Sequence, residues 1–267
     1  MKLLQTSDTH LGITKEKAIR NMIKEWHKET FDVILHCGDY SGSTIGYKVL
    51  RRTVDLIREQ FPDKPYVSVI GNHDYWHKGK RKQPSKEHFG LDTSYGYPKT
   101  ADFAENYHKI VECFKNNNVH FLDTDGLYIN PDFQDIVLIG TSGWYNCAYP
   151  PTNDENYLPV MVEGNTHKWM ERKARKILFD QMDQLDKIYK SDFHTVCFVS
   201  HFPVIKGIDY KGAFEIFCWD ATIGNYMQES YNCVHFFEGH SHRYQRGPLK
   251  YNCGSDYYNP KYQIIEV

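Results

Sequence analysis

The sequence predicts an α/β fold in which two β-sheets pack as a sandwich flanked by α-helices. Over residues 1–70, short apolar runs of strand length alternate with amphipathic segments of helical period. Further apolar runs follow after residue 119 and continue into the C-terminal tail. Because strands joined by helical crossovers lie parallel, the N-terminal alternation indicates one parallel sheet, and the later runs supply a second.

The N-terminal elements are assigned from their periodicity. Strands are predicted at residues 2–6, 32–37 and 65–70, where apolar residues run almost without interruption. Helices are predicted at residues 15–29 and 47–61, because their apolar residues recur every three or four positions and form one face. Together these segments form a β-α-β-α-β unit.

The remaining elements are assigned in the same way. Strands are predicted at residues 119–124, 127–130, 135–142, 195–201 and 233–240, helices at 102–117 and 166–189, and two final strands in the tail. Irregular insertions are predicted near 75–101, 145–164 and 202–225. Since neither repeats nor a convincing linker occur, residues 1–267 are expected to form a single domain.

Composition and charge limit the classes of function. The 267-residue chain has a net charge of −2, so a global basic field for binding nucleic acid is absent. Its seven cysteines are scattered without a CxxC pair, which fits free thiols in a reducing compartment. The N-terminal apolar stretch is too short for a signal peptide, and no run reaches membrane-spanning length. We therefore expect a soluble cytoplasmic protein, with no membrane contact and no obligate protein partner.

Side chains that can bind metals follow nearly every predicted strand. They are Asp8 and His10 after strand 2–6, Asp39 after 32–37, Asn72, His73 and Asp74 after 65–70, and His201, His240 and His242 at the ends of the last two internal strands. In α/β sheets, ligands bind outside the carboxyl ends of the strands. We therefore expect these five clusters to converge on one place.

The donor types indicate a dinuclear metal centre. Imidazole and carboxylate groups suit Zn, Fe or Mn, and the amide oxygen of Asn72 adds a hard ligand. A structural zinc site would be closed by four ligands that usually include Cys, whereas this set contains no Cys. The number of donors fits two ions that share a carboxylate. Two ions roughly 3.5–4 Å apart clamp the attacking and leaving oxygens of a displacement at phosphorus.

The ordered motifs resemble those of the calcineurin-like metallophosphoesterase superfamily, whose pattern is D-x-H, GD, GNH[D/E], H and GHxH. The corresponding residues are Asp8-Thr9-His10, Gly38-Asp39, Gly71-Asn72-His73-Asp74, His201 and Gly239-His240-Ser241-His242. Each motif alone is weak, but the ordered set spans almost the whole chain. The resemblance implies a two-sheet sandwich flanked by helices, in agreement with the predicted elements.

The resemblance also implies roles for these residues. One metal ion would bind Asp8, His10 and His242, the other would bind Asn72, His201 and His240, and Asp39 would bridge both. A hydroxide held between the ions would attack phosphorus. His73 would face the substrate and stabilise the transition state or protonate the leaving oxygen. Two divalent ions are expected, Mn²⁺ first, with Fe, Zn, Ni and Co as alternatives.

One departure from the pattern narrows the subfamily. Phosphoprotein phosphatases of the superfamily carry GDxxDRG, but the stretch from Gly38 to Ser43 has neither the second Asp nor the Arg. This argues against a protein phosphatase. It also leaves Asp74 as the candidate partner that orients His73, by adjacency alone.

The predicted function is hydrolysis of a phosphate ester, either a monoester or a diester. One alternative is a nuclease of the same superfamily, or an enzyme that acts on a nucleotide. It rests on the basic segment 77–86, which could attract a phosphate-rich substrate. The competing interpretation of that segment is a solvated loop. A non-catalytic protein-binding scaffold ranks last, because every ligand position is filled. Trp144, Tyr145 and Tyr210 are candidate substrate-binding residues, because insertions between strand ends border such a site.

Overall fold

The predicted fold class is confirmed by the computed structural model of the protein. The structure describes residues 1–42, 46–75, 100–143, 165–189, 195–205, 221–231, 233, 235–247 and 249–267. These residues form two mixed β-sheets packed with α-helices.

The elements follow the alternation expected from the sequence. The strands are β1 (Lys2–Thr6), β2 (Val33–Cys37), β3 (Tyr66–Val69), β4 (His120–Phe121), β5 (Tyr128–Asn130), β6 (Phe133–Thr141), β7 (Thr195–Ser200), β8 (His235–Phe237), β9 (Tyr244–Arg246), β10 (Lys250–Cys253) and β11 (Tyr262–Glu266). The helices are α1 (Glu16–Trp26), α2 (Gly46–Gln60), α3 (Asn72–Tyr75), α4 (Thr100–Asn116), α5 (Leu122–Asp125), α6 (Asn165–Tyr189) and α7 (Ala221–Tyr231).

Two sheets with parallel centres organise the fold. The first sheet has the strand order β11-β1-β2-β3-β4 and is parallel except for β11. The second has the order β5-β6-β7-β8-β10-β9, and only its two edge pairs are antiparallel. Within each sheet, the parallel strands therefore end at a common edge, where the connecting turns can carry a site.

Alternate residues of the central strands face two different layers. Leu35 of β2 and Val199 of β7 belong to the same buried cluster, in which the two sheets pack face to face. Ile34 points to the opposite side, into the cluster that contains Trp26 of α1 and Val54 of α2. Because β2 is buried on both faces, its apolar run is uninterrupted rather than alternating.

The strand predicted at residues 119–124 is wrong except at residues 120 and 121. Only His120 and Phe121 are extended, and the chain then enters the short helix α5. The carboxylate of Asp125 accepts a hydrogen bond from the backbone N–H of Phe121 at 2.8 Å, which closes this turn. The apolar run continues through buried Leu122, so composition alone did not separate the strand from the helix.

The segment predicted as irregular at residues 202–225 includes the start of a helix. Helix α7 begins at Ala221, and its buried residues Ile223, Met227 and Tyr231 recur every four positions. The prediction was wrong for residues 221–225 because polar residues dilute this pattern.

Strand β9 was also not predicted. It has three residues, and both ends are exposed. Most of the three predicted insertions, at 76–99, 144–164 and 206–220, lies outside the described residues.

Two expectations from composition concern membranes and thiols. In the ranges that the structure describes, no helix is both long and apolar enough to cross a membrane. The described cysteines, which are Cys37, Cys113, Cys197, Cys233 and Cys253, are buried and form no disulfide. Burial raises the pKa of the Cys37 thiol well above its usual value, so this thiol stays protonated and inert.

Candidate metal centre

The predicted ligands lie on five turns that follow parallel strands. Asp8 and His10 follow β1, Asp39 follows β2, Asn72 and His73 begin α3 after β3, His201 follows β7, and His240 and His242 follow β8. The turns of the two sheets meet here, because the backbone N–H of His240 lies 3.0 and 3.1 Å from the two carboxylate oxygens of Asp8. The structure therefore brings together all the residues that the sequence predicted as ligands.

Most of these residues adopt a left-handed backbone conformation. The φ angles are 50° at Asp8, 44° at His10, 55° at Asp39, 65° at His240 and 54° at His242. Residues with a side chain adopt this conformation rarely, and it costs about 1–3 kcal/mol at each position. On an extended strand alternate side chains point to opposite faces, so the left-handed turns at His240 and His242 allow both rings to face one centre.

Two glycines of the motifs are required by close packing. A Cβ atom at Gly71 would lie 2.1 Å from Oδ1 of Asp39. At Gly239 it would lie 2.6 Å from the carbonyl oxygen of Cys37 and 2.9 Å from Nδ1 of His201. A larger residue at either position would push against the site itself.

The first group of donors consists of Asp8, His10 and His242. The Nε2 atoms of His10 and His242 are 3.2 Å apart, and Oδ1 of Asp8 lies 3.8 and 3.5 Å from them, respectively. The candidate ligand atoms of the three residues all lie within 4.8 Å of one another. Two imidazole nitrogens and a carboxylate oxygen that converge in this way can coordinate one cation.

The second group of donors consists of Asp39, His201 and His240, whose ligand atoms also lie within 4.8 Å of one another. Nε2 of His201 is 3.4 Å from Oδ2 of Asp39 and 3.3 Å from Oδ1 of Asn72. The ring of His240 packs edge-on against that of His201, with centroids 5.1 Å apart. Asn72 thus adds an oxygen donor to a second candidate cation position.

Asp39 lies between the two groups, with His73 beside it. Oδ2 of Asp39 is 3.8 Å from Nε2 of His10, 3.4 Å from Nε2 of His201 and 3.9 Å from Nε2 of His73. The backbone N–H of His73 donates to Oδ1 of Asp39 at 2.9 Å. The side chain of His73 is 12% exposed, and burial lowers its pKa. This ring therefore stands at the rim of the centre.

Backbone carbonyls orient two of the imidazole rings. Nδ1 of His10 lies 3.3 Å from the carbonyl oxygen of Ser41, and Nδ1 of His201 lies 2.8 Å from that of Cys37. A carbonyl oxygen can only accept, so each Nδ1 carries the proton and each Nε2 is the atom directed at the carboxylates. Histidines that bind metals usually have this arrangement. The donor set therefore fits two divalent cations.

Burial and neighbouring charges set the protonation states. Burial lowers the pKa of His10 to about 4, so the ring is neutral near pH 7, and it lowers the pKa of His240 as well. Burial also opposes the charge of His201, but the carboxylates of Asp39 and Asp8 raise the pKa of His201 to about 9. Burial alone would raise the pKa of Asp39, whereas the nearby histidines, first His201, hold it well below its usual value.

A sequence comparison identifies the family to which the chain belongs. The model of the family described as calcineurin-like phosphoesterase matches residues 1–244, a range that includes every predicted ligand. The chain belongs to the calcineurin-like phosphoesterase family. Its buried His and Asp clusters are those of a metallophosphoesterase.

Solved structures resemble this calcineurin-like phosphoesterase in fold. TT1561 of Thermus thermophilus matches with a TM-score of 0.56 and 11% identity, and the match covers 95% of this chain and 88% of that one. A putative 5'-nucleotidase from Staphylococcus aureus, in complex with alpha-ketoglutarate, matches with a TM-score of 0.53 and 12% identity. That match covers 98% of this chain and 52% of the nucleotidase. At such identities the likeness shows the fold alone.

Asp74, the candidate partner of His73, has a different set of contacts in this calcineurin-like phosphoesterase. One oxygen of its buried carboxylate accepts a hydrogen bond from the backbone N–H of Ser41 at 2.9 Å, and the other accepts one from Gly71 at 2.9 Å. Asp74 therefore ties the turn after β2 to the turn after β3. These two hydrogen bonds fix the positions of Asp39 and Asn72 relative to each other. The adjacency of Asp74 to His73 in the sequence did not predict this role.

Glu238 makes a comparable connection in the second sheet. Its Oε1 accepts hydrogen bonds from the backbone N–H groups of Val204 and Ile205, at 3.0 and 3.3 Å. Its Oε2 lies 2.7 Å from Nζ of Lys250, which also donates to the carbonyl oxygen of Ile205 at 3.0 Å. The chain that follows His201 is thus fixed to the strand end that leads to His240. No side-chain pattern in the sequence indicates this contact.

Tyr257 also borders the centre, although it is not among the site residues predicted from the sequence. Its ring lies against the rings of His10 and His242, with centroid distances of 4.7 and 4.8 Å. No motif marks this position, since it belongs to the C-terminal tail. The one available signal is the pair of aromatic residues at 257 and 258 in an otherwise polar turn.

The predicted substrate-binding residues Trp144, Tyr145 and Tyr210 lie outside the described residues. The basic segment 77–86, on which the nuclease alternative rests, lies outside them as well. These interpretations therefore stay predictions.

Proposed function

We propose that the protein is a dinuclear metal-dependent phosphoesterase that hydrolyses a phosphate monoester or diester. The observation that carries the proposal is the pair of donor groups that meet at Asp39, at the junction of the two sheets. Membership of the calcineurin-like phosphoesterase family supports the same reaction class.

Each metal ion would be held by residues from both sheets. One ion would bind Asp8, His10 and His242, the other would bind Asn72, His201 and His240, and Asp39 would serve both. The distances between the donor atoms support this division, as do the carbonyl groups that orient His10 and His201. Because each ion would link the two sheets, metal binding would also stabilise the folded protein.

Bound divalent ions would act as Lewis acids that activate a water molecule and neutralise charge on the phosphoryl oxygens. Among the chain's own residues, Asp39 would keep the two cation positions in register. His73, at the rim beside His10, would contact the phosphoester and donate a proton or a hydrogen bond to the leaving oxygen. We propose Mn²⁺ as the ion. Reconstitution with Fe, Zn, Ni and Co, assayed side by side, tests that choice.

A substrate screen tests the proposed function. The purified protein is stripped of metal, reconstituted with Mn²⁺ and assayed with aryl monoesters, aryl diesters, cyclic nucleotides, and single- and double-stranded DNA. Hydrolysis that depends on added metal supports the proposal, and the substrate that is cleaved separates phosphatase, phosphodiesterase and nuclease. A folded, metal-loaded protein that cleaves none of these substrates would contradict it.

Asp39→Asn is the most informative variant for that screen, because it removes the charge shared by both cation positions. We expect the rate to fall at least about 10³-fold, since metal ions contribute several kcal/mol to the transition state and each 1.36 kcal/mol is tenfold. The matched control is Asp135→Asn, at an exposed position of β6. His73→Ala should lower turnover and keep two metal ions per chain. Loss of the metals in that variant would refute the role of His73.

A further inference from the structure

Tyr257 borders the candidate centre on the side of His73. Its ring centroid lies 4.7 Å from that of His10, 4.8 Å from that of His242 and 6.5 Å from that of His73. The ring therefore contacts two proposed ligands of one ion and faces the residue proposed to act on the leaving oxygen. A leaving group attached to that oxygen would depart past this ring.

The backbone holds Tyr257 in a fixed position. Asp256 and Asn259 exchange backbone hydrogen bonds at 3.3 and 2.9 Å, which closes the turn. The carboxylate of Asp256 accepts a hydrogen bond from the backbone N–H of Tyr257 at 2.7 Å. The hydroxyl of Thr14 donates a hydrogen bond to the carbonyl oxygen of Tyr257. Thr14 follows the Asp8 and His10 turn, so Tyr257 is anchored to the segment that carries two ligands.

Tyr257 is both packed and accessible. Its contacts with His10 and His242 cover part of it, yet Tyr257 remains 36% exposed. It thus offers a planar, largely apolar surface beside a cluster of buried carboxylates and imidazoles. The phosphate group of a substrate would bind at the cluster, and an apolar leaving group would pack against a planar apolar surface such as this ring.

We propose that Tyr257 is a specificity-determining residue that packs against a planar aromatic leaving group, such as an aryl or nucleoside group, of the phosphoester. This proposal rests on the proposed function, because it requires a phosphoryl group at the centre. Tyr257 selects the substrate by contact with the leaving group and is not needed to hold the metal. Its phenol hydroxyl is dispensable, because the contact is made by the ring.

Binding of two phosphonates tests the proposal without turnover. Affinities for phenylphosphonate and methylphosphonate are measured by calorimetry on the Mn²⁺-loaded protein, and the metal content of each variant is determined. The wild-type protein should prefer phenylphosphonate. Tyr257→Leu should reduce that preference about tenfold, the upper range for one aromatic contact, whereas Tyr257→Phe should keep it.

The neighbouring tyrosine provides a matched control. Tyr258 is 76% exposed in the same turn, so Tyr258→Leu should leave the preference and the metal content unchanged. If Tyr257→Leu keeps the wild-type preference, or weakens both phosphonates equally, the ring does not select the leaving group. Loss of metal from Tyr257→Leu, with the metal retained in Tyr258→Leu, would show that the ring only supports the ligands. A wild-type protein that binds neither phosphonate, or both equally, would also overturn the proposal.

A kinetic comparison separates this proposal from the proposed function. Phenyl phosphate and a simple alkyl phosphate are assayed with the wild-type protein and with Tyr257→Leu. If the wild-type protein prefers phenylphosphonate in binding but hydrolyses no ester, the proposed function fails and the role of Tyr257 in binding stands. If the esters are hydrolysed with the same selectivity by both proteins, the inference about Tyr257 fails alone.

Discussion

Asp74, which follows β3 of the first sheet, and Glu238, which follows β8 of the second, have buried carboxyl groups that connect ligand-bearing segments through backbone amides. Asp74 joins the turns after β2 and β3, and Glu238 joins the segment after β7 to the end of β8. They differ in their counter-charge. Lys250 lies 2.7 Å from Glu238, whereas Asp74 forms no ion pair within the part of the chain that the structure describes.

This difference in counter-charge parallels a difference in the charge of the ligands that each sheet supplies. The first sheet carries the anionic ligands Asp8 and Asp39, and the second supplies only imidazoles. Burial, with the nearby charge of Asp39, raises the pKa of Asp74 to about 8, so an additional anion there is unfavourable. The second sheet balances its own carboxylate with Lys250. We therefore expect the second sheet to depend on an intact ion pair, and the first on hydrogen bonds and close packing.

Breaking the ion pair should have the largest effect on stability. Lys250→Met leaves Glu238 buried without its cation, which should cost about 3–5 kcal/mol of the free energy of unfolding. Urea denaturation of the metal-free protein measures this cost. Adding Glu238→Gln should recover part of it, because the buried charge is then gone. Lys261→Met, at an exposed lysine, is the control. An equal loss in the control would mean that the pair contributes nothing specific.

Close packing in the first sheet is tested at Gly71. Gly71→Ala would place a Cβ atom 2.1 Å from Oδ1 of Asp39, so the carboxylate or the turn must shift. We expect a cost of about 3 kcal/mol, near the upper end for overpacking, together with loss of metal-dependent hydrolysis. At Gly247 an added Cβ would meet only the carbonyl oxygen of Lys250, at 3.8 Å, so Gly247→Ala is the control. Normal metal content and turnover in Gly71→Ala would show that Asp39 tolerates the shift.

The hydrogen bonds of Asp74 should contribute less than the ion pair. Asp74→Asn retains one acceptor oxygen and turns an N–H₂ group toward the other amide, so one buried N–H loses its partner. The expected cost is about 2 kcal/mol, within the range for an unsatisfied buried group. Asp183→Asn, at an exposed position of α6, is the control. If Asp74→Asn costs as much as Lys250→Met, the contrast between the two sheets is wrong.

The sequence predicted those residues of the centre whose side chains can bind metal and follow the ends of strands. Asp8, Asp39 and His201 were found because each follows an apolar run, and parallel strands in one sheet end at a common edge. Those runs also predicted the sheets, since β2 and β7 are buried almost throughout. The resemblance carried by the ordered motifs then implied a division of the ligands between two ions, and that division stays a prediction.

What the sequence did not predict depends on contacts between distant segments. Asp74 and Glu238 act on backbone amides, which every residue has, so no pattern of side chains marks their partners. Tyr257 reaches His10 from the opposite end of the chain, and the pairing of β10 with β8 and of β11 with β1 brings the tail to this edge. Helix α7 was missed because Gly224 and polar residues dilute its apolar face.

Backbone strain at the second-sheet ligands should give the smallest effect. His242 has a φ of 54°, a conformation that costs about 1–2 kcal/mol for a residue with a Cβ atom and almost nothing for glycine. In the metal-free protein, His242→Gly should therefore be more stable than His242→Ala by about 1 kcal/mol. In the exposed helical position Glu229 of α7 the order should reverse, with glycine about 1 kcal/mol less stable than alanine. Thermal and urea unfolding of the four variants measure both differences. If alanine is the more stable residue at both positions, the left-handed turn at His242 stores no strain, and the ligands of the second sheet are placed without cost to the fold.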